Sequence, residues 1–79
     1  MNKDYTPIPC AIYSQYEVAI LNRRRLRVVW HGVRNVDRVE TLTPMDLRTR
    51  SGGEYMIARN QLGQSRVIRL DRITRAEVI

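Results

Sequence analysis

The sequence predicts an α+β fold that is mostly β, with an N-terminal helix followed by a strongly bent antiparallel sheet or small barrel. Three observations lead there. Apolar residues recur at spacings of three and four between Cys10 and Asn22. At Leu26 the spacing becomes two. Beyond that point the chain breaks into short apolar runs separated by glycine, proline and asparagine. Strands this short and this closely spaced suit a bent sheet with the helix covering one opening.

Residues 1–9 form an irregular lead-in. Pro7 and Pro9 fix their own φ and turn the preceding residues away from helix. Ile8, between them, is expected to anchor the lead-in on the body of the domain. The helix is expected over 10–22. Ile12, Tyr16, Ala19 and Ile20 make its apolar stripe, flanked by Tyr13 and Val18, with Ser14, Gln15 and Glu17 pointing away. Arg23, Arg24 and Arg25 follow its end, where cations suit the negative pole of the helix.

The sheet is expected over 25–79. Leu26, Val28 and Trp30 alternate with Arg27, Val29 and His31, the pattern of a strand with one apolar face. Gly32 marks a turn. Val36 to Thr43 is less regular and Pro44 ends it, leaving Met45-Asp46-Leu47 as a short strand or bridge. A turn at 49–53 uses Gly52 and Gly53. Tyr55, Ile57 and Arg59 share one side of the next strand. A loop at 60–64 leads to a strand at 65–70, and 73–79 closes the sheet as an edge strand.

The length of 79 residues fits one domain, 1–79, with a thin core. The hydrophobic share of 43% and charged share of 28% are ordinary for a globular chain, which argues against disorder. Fourteen basic residues face eight acidic ones, for a net charge of +6, and only Lys3 among them is lysine. Arginine's planar fork suits phosphates and carboxylates, and excess positive charge favours polyanionic partners. Cys10 is the sole cysteine, so no intramolecular disulfide and no cysteine-rich metal site is possible, which fits a reducing compartment. The first residues lack a signal-peptide core, and no apolar run approaches the roughly 18 residues of a membrane span. A cytoplasmic protein with no membrane partner is expected.

No catalytic constellation is visible. His31 has no evident nucleophile or carboxylate partner close in sequence. Cys10 opens the helix, where a thiol can be activated, but a small buried apolar residue is the expectation. The acidic residues lack the spacing of a calcium loop, and Gly52-Gly53 is too little for a phosphate cradle. Binding without turnover is expected, with no catalytic residue, no metal and no cofactor. The densest charge feature is Arg23, Arg24, Arg25 and Arg27, which suits phosphates or an acidic protein surface, or else is a solvated helix end.

Three blocks carry a family resemblance. Tyr5-x-Pro7-Ile8-x-Cys10-x-x-Tyr13-x-x-Tyr16-Glu17-x-Ala19 resembles the Rof family of Rho-binding antiterminators. So do Asp46-Leu47-x-x-Arg50-x-Gly52-x-Glu54-Tyr55 and Ile68-Arg69-Leu70-Asp71-Arg72-Ile73. The last two blocks also look like the ligand-sensing WYL domain. The Pro-Ile-x-Cys start favours Rof. The resemblance implies an Sm-like fold in which Ile68, Leu70 and Ile73 anchor strands and Asp71 and Arg72 pair within the fold. It also implies binding to transcription termination factor Rho, blocking its primary RNA-binding site, through Tyr13, Ser14 and Glu17. Around Tyr13, where that family tends to be acidic, this chain has Ala11, Ile12 and Ser14 and keeps only Glu17. An RNA-binding module is the alternative, with single-stranded RNA as partner. There Arg23, Arg24, Arg25 and Arg27 would hold phosphates, and Tyr16, Trp30 or Tyr55 would stack on bases. A diverged WYL-like ligand sensor is a third reading.

Overall fold

The computed structural model describes residues 4–79; residues 1–3 of the expected lead-in lie outside them. One helix, α1 (Cys10–Leu21), precedes five strands: β1 (Leu26–His31), β2 (Asp37–Arg50), β3 (Gly53–Asn60), β4 (Ser65–Arg69) and β5 (Ile73–Val78). They form one antiparallel sheet in the order β4-β3-β2-β1-β5, so β4 and β5 are its edges. Short 3-10 turns at Val33–Asn35 and Leu70–Arg72 complete the chain.

The helix begins without a side-chain cap; the Pro9 carbonyl accepts from the amides of Ile12 and Tyr13. Its end is a Schellman motif. Arg24 N–H bonds to Ala19 O at 2.9 Å and Arg23 N–H to Ile20 O at 3.2 Å, while Arg23 takes the left-handed conformation at φ 52°. Tyr16 and Ala19 are buried, and Ile12 and Tyr13 pack at the margin of the core. Cys10 is exposed, not buried as expected. It stands two residues before Ile12, about 200° round the helix from the core-facing stripe.

β1 has the expected bounds and alternation: Leu26, Val28 and Trp30 are buried, and Arg27 and His31 face outward. β2 departs from expectation, because Pro44 does not end it. The strand runs 14 residues straight through the proline. β1 pairs with β2 only from Asp37 to Leu42, and β3 takes over from Leu42 to Arg50. Pro44 therefore lies past the reach of β1, where its missing N–H breaks no ladder bond, and a bulge between Pro44 and Asp46 bends the strand there. That handover bends the sheet.

β2 and β3 meet in a type I′ turn at Ser51 (φ 50°) and Gly52 (φ 79°). Tyr55, Ile57 and Arg59 do share a side of β3, but the core takes the other one, through Met56 and Ala58, both 0% exposed. The loop after β3 is tied by Asn60, whose side-chain oxygen accepts from the amides of Leu62 and Gln64. Glu40 on β2 holds Asn60 and Arg66, linking three strands on the outward face. Leu42, Met56, Val28 and Leu70 are the most deeply buried large side chains. Ile8 packs against this core, as does Ile73. No helix among the described residues is long and apolar enough to cross a membrane.

Candidate ligand-binding site

The hairpin between β1 and β2 positions the site. Val36 N–H reaches Val33 O at 3.4 Å and Gly32 N–H reaches Val36 O at 2.8 Å. Between them Arg34 (φ 61°, ψ 28°) and Asn35 (φ 57°) are both left-handed, the geometry of a type I′ turn. Gly32 suits a close approach, since a Cβ there would lie 3.0 Å from the Arg38 side chain and 3.1 Å from Val36 O, and a neighbour would have to shift. Asn35 suits its conformation. Arg34 does not, and a left-handed non-glycine residue costs roughly 1–2 kcal/mol.

This turn forms one wall of a cleft of about 580 Å³. Trp30, Tyr55, Val67 and Ile68 supply its apolar surface; Arg34, Arg69 and Arg72 supply its charge, and His31 lines it beside them. No carboxylate lines it. Another cleft, of about 330 Å³, shows the contrast: both Arg27 and Glu40 line it. Among the described residues neither Arg34 nor Arg72 makes an ion pair. A low-dielectric wall lined by one sign of charge focuses field and attracts anions. Trp30 is 7% exposed, and Arg38 covers its ring at 5.7 Å, so it is a wall and not a stacking platform. Tyr16 is buried too. Of the three aromatic residues expected to stack, Tyr55 is the half-buried one and lines the cleft. It sits in register between Arg48 of β2 and Arg69 of β4.

His31 has the carboxylate partner its sequence neighbourhood hid. Its Nδ1 meets Asp37 Oδ1 across the hairpin at 2.5 Å, because His31 and Asp37 are register partners. No serine, threonine or cysteine lines the cleft beside that pair. No group of three or more metal-ligating side chains exists among the described residues.

At the edge of the cleft a polar network ties the lead-in down. Arg69 donates from Nε to Asp71 Oδ1 at 2.6 Å and from Nη2 to Asp71 Oδ2 at 2.9 Å. Asp71 also accepts the Thr6 amide at 2.9 Å. Arg69 Nη1 reaches Asp4 at 3.1 Å, its guanidinium lies 5.8 Å from the Tyr5 ring centre, and Tyr5 OH donates to Glu54 at 2.9 Å. The expectation that Asp71 pairs within the fold holds through Arg69; Arg72 lies in the cleft lining instead. Burial works to raise the Asp71 pKa, but the bonds from Arg69 and Thr6 and the charges of Arg69 and Arg72 outweigh it and hold the carboxyl below its usual range. Hydrogen bonding to Arg69 lowers Asp4 as well, with a smaller Coulombic contribution from Arg72. Burial, then the bond to Glu54, pushes the Tyr5 hydroxyl up.

The residues expected from sequence fall elsewhere. Tyr13 and Glu17 line a shallow groove with Asp46 and Leu47, whereas Ser14 lines a different one with Val18 and Val78. All three lie on α1, with Ser14 and Glu17 one turn apart. Burial raises the Tyr13 pKa, and the nearby charges of Glu54, Glu17 and Asp46 add to it, so Tyr13 stands in a local acidic field. The arginine cluster is likewise divided. Arg23 closes the helix, Arg24 approaches the Ile79 carbonyl at 3.5 Å, and the Arg25 carbonyl accepts the Ile79 amide. Arg27 stands on the outward face between Thr41 and Glu77. Arg34 was not singled out by sequence, and Arg72 was expected to pair within the fold; for Arg34, an arginine before the asparagine of a tight hairpin was the available signal.

Residues 11–78 match the WYL domain family model. The fold matches part of the proteasome accessory factor B/C (PafBC) of Arthrobacter aurescens with a TM-score of 0.79 and 21% identity, over 96% of this chain. The chain spans only 12% of the length of that protein, and at this identity the likeness is one of fold. No curated protein matches the sequence.

Proposed function

The chain belongs to the WYL domain family, and from that membership we propose that it is a non-enzymatic regulatory domain of the transcription machinery that binds single-stranded RNA at the Arg34–Arg72 cleft. One observation carries this reading. The lining of the cleft holds three arginines and a histidine and no carboxylate; Arg69 and His31 are paired with acids, while Arg34 and Arg72 make no ion pair among the described residues. The strained backbone at Arg34 supports it, because strain persists where the surrounding structure gains from it.

The test is a titration of the purified protein with a fluorescein-labelled oligouridine at several salt concentrations. Binding should weaken steeply with salt, and Arg72→Gln should lower the log–log slope by about 0.7. A slope unchanged in Arg72→Gln, or affinity indifferent to salt, contradicts the reading.

A second reading has its own observation. The acidic field around Tyr13, from Glu17, Asp46 and Glu54, is a local exception in a chain of charge +6 and would suit the RNA-binding face of Rho. Under it the domain binds Rho and blocks its primary RNA site. Glu17→Lys should then abolish Rho binding while leaving the fold intact, and normal Rho binding by that variant would rule the reading out.

A further inference from the structure

Arg69 serves two environments. It contributes to the lining of the cleft, and its guanidinium holds two carboxylates. The two are not equivalent. The Asp71 side chain is 8% exposed and grips Arg69 through two bonds from within; the Asp4 side chain is 71% exposed and meets Nη1 at 3.1 Å from the solvent side. Asp71 is part of the fold, whereas Asp4 rides on an irregular segment with no strand pairing. Arg72, one residue beyond Asp71, acts on the charges of both acids and is without an ion pair of its own among the described residues.

We infer that Asp4 is an intramolecular stand-in for the ligand: its carboxylate occupies the outer edge of Arg69, where a phosphate of the bound strand takes its place. Ligand binding then releases the strap formed by Asp4, Tyr5 and Thr6. The physical reason is competition for one cation. A phosphodiester entering beside Arg72 and Arg69 carries the same single charge as Asp4 but meets both guanidiniums, and repels the carboxylate. Besides Asp4 the strap is tied by the Thr6 amide bond to Asp71, the Tyr5 bond to Glu54 and the Arg69 guanidinium over the Tyr5 ring. By linkage the coupling is reciprocal: whatever holds the strap down weakens the ligand, and whatever binds the ligand frees the strap. The position of the strap would thereby report occupancy of the cleft. This inference rests on the RNA-binding reading of the same cleft.

The experiment measures oligouridine affinity for the full chain, Asp4→Asn and Glu17→Gln. Both variants remove one negative charge, but only the first frees the outer edge of Arg69. Asp4→Asn should bind about two- to fivefold tighter than the parent, the range set by an exposed ion pair, and Glu17→Gln should change affinity less. Hydrogen exchange at the Thr6 amide gives a second readout, and it should speed up when the RNA is bound. Equal affinities for Asp4→Asn and Glu17→Gln, or a Thr6 amide that stays protected in the complex, overturns the strap while leaving RNA binding intact. A parent protein that binds no oligouridine overturns both.

Discussion

Replacing Asp71 by asparagine removes the charge on which the strap, β4 and the 70–72 turn converge. The side chain is 8% exposed and accepts three hydrogen bonds, two from Arg69 and one from the Thr6 amide. Asparagine keeps one acceptor oxygen and so retains at most part of this. Bonds to a charged partner contribute about 1.5–3 kcal/mol each, and Arg69 keeps Asp4 as a residual partner, which puts the net loss at about 2–4 kcal/mol. For a domain of this length each kcal/mol shifts Tm by roughly 4–8 °C, so thermal unfolding followed by circular dichroism should show a fall of about 10–25 °C at pH 7. The pH dependence has a definite sign. The folded Asp71 carboxyl titrates below its unfolded value of about 3.9, so its contribution is complete above that pH and disappears as pH falls through the lower, folded value. The gap between the parent and Asp71→Asn should therefore close below about pH 4. A fall of less than 2 °C at pH 7, or a gap that persists in strong acid, would refute the reasoning.

Three other substitutions follow from backbone and packing. Arg23→Gly relieves a left-handed residue at the helix end and should raise stability by about 0.5–1 kcal/mol, read as a higher midpoint in urea. Arg34→Asn places a residue suited to φ 61° in the β1–β2 turn; it should raise Tm and weaken oligouridine binding together, and a gain in both would separate the strain from function. Leu42→Ala empties a 0% exposed position where β1, β2 and β3 meet, and should cost about 2–5 kcal/mol, measured by chemical denaturation.

Periodicity placed α1 and β1 almost to the residue, because each keeps one spacing without a breaker inside it. β2 was hidden by Pro44. A proline ends a strand that has neighbours on both sides, and the sequence does not reveal that β1 stops pairing at Leu42. The buried face of β3 was equally hard to assign, since Tyr55-Met56-Ile57-Ala58 is apolar on both alternations and only the tertiary contacts choose Met56 and Ala58. The cleft shows no spacing at all in sequence. Residues 30–35 meet 67–72 only because β2 and β3 carry the chain out and back. Local charge density pointed to Arg23–Arg27, which the structure disperses between a helix end and the outward face of β1. The Leu-Asp-Arg-Ile block was legible as structure, and half of it is: Leu70 is buried and Asp71 is held by Arg69, while Arg72 is left for the cleft.

The central claim is that the cleft, and not the arginine cluster after the helix, binds the anionic strand. The most direct measurement compares oligouridine affinity for Arg72→Gln and Arg25→Gln, two substitutions that remove the same charge from a side chain without an ion pair among the described residues. The account predicts that Arg72→Gln loses at least about tenfold, as expected for a phosphate contact in a focused field, and that Arg25→Gln loses little. Equal losses, or a larger one for Arg25→Gln, would contradict it.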